Sequence, residues 1–234
     1  MTARRFTIDV GNSSVGVGIW EGGRLEVRRD ASPERAAAGI RGEVVAITVA
    51  PPRLAALLAA LPPDVAAAVR QLRAPPADLG PAELLQSAGA DRVANALALL
   101  PGPGIAVDAG TAVTVDVVDA RGRYLGGCIA AGPAAAAEGL ARATEQLPLI
   151  PGEPVELEIG TTTRAAMTAG AWGMAVGGVD RLVELALAAL GGAGAPIVAT
   201  GSWGPAWAAA SRHSRVRVDR DLVHRGIARW AGWM

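Results

Sequence analysis

"IDVGNSSVGVGIWEGGRLEV", residues 8–27, reads as two alternating apolar runs joined by a turn that carries more chemistry than a turn needs. A hairpin requires only Gly11 and Asn12, so Asp9 is surplus to folding. The plan recurs in "VDAGTAVTVDVVDARGRYLGG", residues 107–127. Asp9 matches Asp108, Gly11 matches Gly110, Gly23 matches Gly122 and Arg24 matches Arg123, all at an offset of 99 (108 − 9). One Asp-x-Gly is a weak signal, but four positions at one offset point to an internal duplication. The fold expected is α/β, with two similar halves facing each other across a central cleft.

Elements placed outward from these stretches support the division. Strands are expected over 6–10, 15–20, 25–28, 44–49 and 65–69. Helices are expected over 53–61 and over 83–100, the latter broken near Gly89. "PGPG" at 101–104 is the strongest break, so the halves are placed at 1–101 and 102–234. After it come strands over 105–109, 112–118 and 123–128, and a helix over 134–146. A helical stretch over 163–190 is interrupted by Gly170, Gly173, Gly177 and Gly178. A strand over 196–200 and an amphipathic helix over 222–233 complete the chain.

Composition narrows the function. The 234 residues are 51% hydrophobic, enough for sizeable cores, and Lys plus Arg (22) balances Asp plus Glu (22). With no basic patch or tail, nucleic acid and acidic membrane surfaces are poor partners. All 22 basic residues are arginines. A Walker-type phosphate loop and a Schiff-base site both need a lysine, so both classes are excluded. Cys128 is the single cysteine, which removes intrachain disulfides and cysteine-rich zinc sites. Arg4 and Arg5 lead into "FTIDV" without a long apolar stretch, and the alanine-rich runs are too short to span a bilayer. A cytoplasmic location is expected.

A strand ending in Asp-x-Gly puts a carboxylate at the mouth of a sheet, where the glycine lets backbone N–H groups approach an anion. Asn12, Ser13 and Ser14 add short polar groups suited to phosphate oxygens. A carboxylate beside a phosphate needs a cation between them. That is the hard-oxygen chemistry of Mg²⁺, held by one or two carboxylates together with substrate phosphates.

The set "DVGNSS", "GADR", "DAGTAVTVD", "GGCIAAG", "TEQLP" and "IGTTTRAAMTAG" resembles the type III pantothenate kinases, from residue 8 to about 178. The resemblance implies two ribonuclease-H-like halves in a duplicated actin-like ATPase fold, of the acetate and sugar kinase, heat-shock 70 and actin superfamily. It also implies ATP-dependent phosphorylation of pantothenate, the entry step to coenzyme A, by a homodimer. Carried over by position, Asp9, Val10, Gly11, Asn12, Ser13, Ser14, Val15 and Gly16 form the first phosphate loop, with Asp9 toward Mg²⁺, directly or through water. Gly89, Ala90, Asp91 and Arg92 bind pantothenate, with Asp91 as general base. Asp108 holds a monovalent cation, K⁺ or NH₄⁺, while Thr111 touches ATP and Thr163 touches pantothenate.

The residues admit plainer readings beside these. Asp91, just after a glycine and opening an apolar helix, equally suits an N-cap, and Arg92 a surface position. One of Thr161, Thr162 and Thr163 is expected to cap the helix that follows. Asp116 and Asp119 are expected in a hairpin, Cys128 in the core, and His213 and His224 on the surface. Against the family's pattern, the pocket tyrosine before "GADR" is missing, since the only tyrosine is Tyr124. Ala131 replaces a proline, Gly16 stands where some members have lysine, and Ser202 adds a hydroxymethyl on the expected adenine side. The alternatives are a catalytically impaired nucleotide-binding relative with a regulatory role, and a related phosphotransferase acting on another small alcohol.

Overall fold

The computed structural model describes residues 4–192 and 194–234. Two compact units result, Met1–Leu100 with Asp221–Met234, and Pro101–Arg220. The segment from Asp221 onward, expected with the second half, thus clusters with the first. Among the described residues, no helix is long and apolar enough to cross a membrane.

In the first unit, β1 (Arg5–Val10), β2 (Val15–Glu21) and β3 (Arg24–Asp30) form an antiparallel meander. Gly22 and Gly23, at φ 56° and 78°, make the two-residue turn between β2 and β3, a conformation that glycine adopts without penalty. On the other side of β1, β4 (Glu43–Thr48) and β5 (Arg70–Gln71) add in parallel, giving the order β3-β2-β1-β4-β5. One face carries Phe6, Ile8, Val10, Val15, Val17 and Val44. These pack under α1 (Pro33–Ala36), α2 (Pro51–Ala60) and α3 (Pro63–Ala68). On the other face Val45 and Ile47 meet Ala94 of α5 (Ala90–Ala98) and Val223 and Ile227 of α9 (Leu222–Trp230). The short α4 (Ala82–Ser87) precedes α5, and the break expected near Gly89 is present. The strand expected over 65–69 is instead α3, because Pro63 sits where a proline starts a helix and the alanines after it favour continuation.

The second unit repeats the order. β6 (Gly104–Ala109), β7 (Ala112–Val118) and β8 (Tyr124–Ala131) are an antiparallel meander. On the other side of β6, β9 (Ile197–Thr200) and β10 (Val216–Val218) pair in parallel, giving β10-β9-β6-β7-β8. Read from the meander inward, the two sheets are the same sheet. Ile105, Val107, Ala109, Val113 and Val115 pack against α7 (Thr163–Ala189) and against Trp203 and Trp207 around α8 (Gly204–Ala210). α6 (Pro133–Ala143) lies alongside α7. The glycines expected to interrupt α7 do not. Its inward residues Trp172, Ala175, Val176, Val179, Val183 and Ala186 keep helical spacing throughout. That continuous burial outweighs the roughly 1 kcal/mol that each interior glycine costs.

The two helices under the first sheet are held by a backbone contact. A Cβ built at Gly226 of α9 collides with the Ala94 carbonyl of α5. Gly226→Ala should therefore push α9 away and destabilise the protein by about 1–3 kcal/mol, read as a lower denaturation midpoint in urea.

Candidate active site

β1 ends at Asp9 and Val10, and the turn of Gly11, Asn12, Ser13 and Ser14 closes through a 3.0 Å hydrogen bond from Gly11 N–H to the Ser14 carbonyl. The carbonyl of Val10 is fixed by Val49 N–H at 3.2 Å and by the Thr48 hydroxyl at 3.2 Å. Asp9 is half-buried while Asn12, Ser13 and Ser14 are exposed, so the turn's polar groups stand at the strand's mouth. Asp9 pairs directly with Gly16, and Gly16 pairs in turn with Arg29 of β3. Directly opposed residues share a face, so a carboxylate and a guanidinium flank a position with no side chain.

That position is filled from α9. A Cβ at Gly16 would lie 2.7 Å from Nε2 of His224 and 3.8 Å from Cβ of Asp9, and one at Gly18 would lie 2.9 Å from Nδ1 of His224. His224, expected at the surface, is completely buried. Its Nδ1 is 2.9 Å from the Thr7 hydroxyl oxygen, which also accepts from Trp20 Nε1 at 3.1 Å. Burial pushes the imidazole from its ordinary value near 6.5 down to about 3, and the positive charge of Arg29 pushes the same way. The ring is neutral at physiological pH. The helical periodicity of 222–228 held the signal: His224 falls between Val223 and Ile227 on the buried stripe.

In the second unit Asp108 is likewise half-buried at the end of an apolar strand, and its turn closes through Gly110 N–H to the Ala112 carbonyl at 3.0 Å. This turn is clamped from three sides. Trp203 N–H bonds the Ala109 carbonyl at 3.0 Å, Trp203 Nε1 bonds the Gly110 carbonyl at 2.7 Å, and Gly132 N–H bonds the Thr111 carbonyl at 3.0 Å. Gly132 is the N-cap of α6, and a Cβ there would strike the carbonyls of Gly110 and Thr111. The positive end of α6 thus sits flush on the turn, an arrangement that favours an anion. Asp108 pairs with Thr114, and Asp116 shares that face. Asp116, expected in a hairpin, is instead completely buried within β7, where it accepts from the Thr114 hydroxyl at 3.0 Å and the Tyr124 hydroxyl at 2.7 Å. The polar alternation of Thr114 and Asp116 within "TAVTVDVV" was the sign of such a face. Asp119 is the true turn residue, accepting from the backbone N–H groups of Arg121 and Arg123.

At the head of α5 the N-cap is Gly89, not Asp91. Asp91 lies in the first turn, and its Oδ1 accepts from Arg92 N–H at 2.8 Å. A Cβ at Gly89 would come within 2.5 Å of that oxygen, so the glycine makes room for the carboxylate. Beside this helix start, at the carboxyl ends of β4 and β5, is a cavity of about 520 Å³ bordered by Thr48, Gln71, Arg73, Ala82, Ala88 and Ala90. Ala82 stands in the stretch where the resembled pattern carries its tyrosine. Tyr124 is buried in β8 of the other unit.

The family profile described as type III pantothenate kinase matches residues 5–185. A type III pantothenate kinase of Thermus thermophilus is 32% identical over 96% of this chain and 97% of its own. That of Dehalococcoides mccartyi BAV1 is 32% identical over 97% and 94%. The chain belongs to the type III pantothenate kinase family.

Solved structures agree on the fold. A Baf family protein from Campylobacter jejuni superposes with a TM-score of 0.63 at 19% identity, covering 97% of both chains. The ADPNP-bound activator of 2-hydroxyisocaproyl-CoA dehydratase from Clostridium difficile gives 0.56 at 13% identity, covering 99% of this chain and 96% of its own. The fold of this pantothenate kinase family member is thus the duplicated actin-like one, and membership of a kinase family implies ATP used with a divalent metal. Asp9 fits such an ion, which takes one or two protein carboxylates and shares the phosphates rather than needing an all-protein cage. Among the described residues no cluster of three or more His, Cys, Asp or Glu forms such a cage.

Other family positions fall as follows. Thr162 caps α7 by accepting from Ala165 N–H at 3.2 Å, which leaves Thr163 exposed at the first helical position. Ser202 turns its hydroxyl toward the Ala109 carbonyl, 3.5 Å away, so its extra group lies against the end of β6. Cys128 is only half-buried, packed against the second unit's core.

Two outcomes are expected. Gly132→Ala should lift α6 from the Gly110–Thr111 turn and weaken nucleotide binding by about tenfold, measured by calorimetry, with the circular dichroism spectrum unchanged. His224 also sets a pH dependence. Its folded-state value is depressed, so the unfolded chain takes up a proton first as pH falls below 6.5. Stability is then lost toward pH 3 at about 1.4 kcal/mol per unit. Denaturation of wild type and His224→Gln between pH 7 and pH 4 should show the flatter dependence in the variant.

Proposed function

We propose that this chain phosphorylates pantothenate with ATP, the entry step to coenzyme A, through the residues now described. The observation that carries the reading is the placement of Asp91 in the first turn of α5, over Gly89 and next in sequence to Ala90, which borders a cavity at the carboxyl ends of parallel strands. That edge is where open α/β sheets bind ligands, and about 300–1,000 Å³ is the usual size of a small-molecule site. Pantothenate occupies the cavity, Asp91 takes the proton of its primary alcohol, and Arg92 pairs with its carboxylate. A carboxylate within hydrogen-bond reach suffices for the base, because phosphoryl transfer depends chiefly on positioning and charge neutralisation.

The β1–β2 turn, from Asp9 to Gly16, receives ATP phosphates through its N–H groups and the Ser13 and Ser14 hydroxyls. Mg²⁺, when bound with ATP, neutralises the phosphate charge and is oriented by Asp9. Asp108 holds a monovalent cation, K⁺ or NH₄⁺, and Thr111 is a further ATP contact on the turn that faces the head of α6. The enzyme works in the cytoplasm.

The dimer expected of the family has a suitable surface on α6 and α7. A groove of about 780 Å³ between them is lined by Leu140, Leu147, Met167 and Met174, with Leu140 and Met174 exposed. Ile159 nearby is 95% exposed. A second copy of this chain covers that surface, and Met174→Glu should shift the protein from dimer to monomer in light scattering.

A coupled assay of pantothenate phosphorylation, with and without potassium, tests the catalytic reading. Asp91→Asn should lower the rate by about 10²–10⁴-fold with ATP binding intact, and unchanged turnover would remove Asp91 as the base. Asp108→Ala should flatten the response to potassium.

A further inference from the structure

The cavity at the carboxyl ends of β4 and β5 is walled mainly by small and apolar residues, with Leu72, Leu85 and Trp230 the bulkiest of them. Its polar border consists of Thr48, Gln71, Arg73 and Gln86. Thr48 is committed to the backbone, donating to the Val10 carbonyl and accepting from Ala50 N–H at 2.9 Å. Among the described residues that border the cavity, Arg73 alone carries a charge.

That guanidinium is held by a neutral group. Its Nε and Nη2 both donate to one oxygen, Oε1 of Gln71, at 3.0 and 2.6 Å. Gln71 is itself set in β5, paired with Ala46 of β4, and the next residue, Leu72, donates its N–H to the Ala46 carbonyl at 2.9 Å. The fork is therefore oriented from the sheet. It is not neutralised, because no carboxylate among the described residues pairs with Arg73. An arginine has five N–H donors, so most of this one's capacity is left for a planar anion.

The acceptor assigned to this cavity has its primary alcohol and its carboxylate at opposite ends of the molecule. With the alcohol at Asp91, just after Ala90 on the border, the acid end meets the remaining wall, where Arg73 stands. A carboxylate offers about four acceptor positions, so pairing with Arg92 leaves room for a second guanidinium.

We propose that Arg73 is a specificity-determining residue of the acceptor site: oriented by Gln71, it takes the carboxylate of the acceptor and so selects an acid over a neutral analogue of the same shape. This rests on the reading that pantothenate occupies the cavity.

Calorimetric titration of the full-length protein with pantothenate, and with its primary amide, separates the charge from the shape. Arg73→Gln should weaken pantothenate binding by about 10–100-fold, as expected for a lost hydrogen bond between charged groups. Binding of the amide should stay within about twofold of wild type. Gln71→Glu keeps the shape of the residue that orients the fork but sets a carboxylate against it. The variant should therefore weaken pantothenate as Arg73→Gln does and again spare the amide, whereas a merely structural Arg73 would gain an ion pair and show no such selectivity. Equal pantothenate affinity in wild type and Arg73→Gln, or equal losses for acid and amide, would overturn the proposal. Because titration reads binding without turnover, a wild type that binds pantothenate but does not phosphorylate it would remove only the catalytic reading. A wild type that fails to bind pantothenate would remove both.

Discussion

A central strand covered on both faces can carry polarity only where a partner waits for it, and each sheet is built on such a strand. β1 places Phe6, Ile8 and Val10 against the α2–α3 layer, and β6 places Ile105, Val107 and Ala109 against α7 and α8. The other face of each strand holds its exceptions. Thr7 is completely buried and bonded to both Trp20 and His224, and Asp9 follows it at the strand's end. Asp108 stands at the same place in β6. Stretches this apolar keep a carboxylate at one level only, the mouth of the sheet, where phosphate and cation chemistry can reach it.

How much of this was legible depends on whether the signal was local. The two meanders could be read because period-two alternation, paired glycines and a shared offset all lie within about twenty residues of sequence. The offset itself conceals a slip. The first turn lies between paired Val10 and Val15, the second between paired Ala109 and Val113, so the strands that follow are one residue out of step until the next turn. α3 escapes such a reading because a short apolar run between prolines has no period of its own, and α7 because glycines count as breaks only where burial does not continue past them.

The site divides the same way. Asp9, Asp91 and Asp108 announce themselves by standing at strand or helix ends two residues from a glycine. The burial of Asp116 and His224 depends on partners that sequence reading cannot pair. Asp116 needs Tyr124 from the neighbouring strand, whereas His224 needs Thr7, 217 residues away. A histidine met alone in a helix gives no hint that two glycines far upstream have been left bare to receive it.

That separation shapes how the first unit is completed. Its sheet, the α1–α3 layer and α5 come from the first hundred residues, but the cover that Val223 and Ile227 give the other face, and the His224 partner of Thr7, arrive only with α9, after the whole second unit has been made. Long-range closure of this kind is entropically costly and rewards folding late. The last helix carries its own means of docking: Gly226 lets its backbone rest on α5, Arg229 bonds the Leu100 carbonyl at 2.7 Å, and the His224 ring enters the glycine slot. The same docking gives Thr7 its His224 partner, so the buried polar end of β1 is satisfied only in a chain that has closed. Coupling the last element to the first in this way leaves the half-made unit with its second face uncovered.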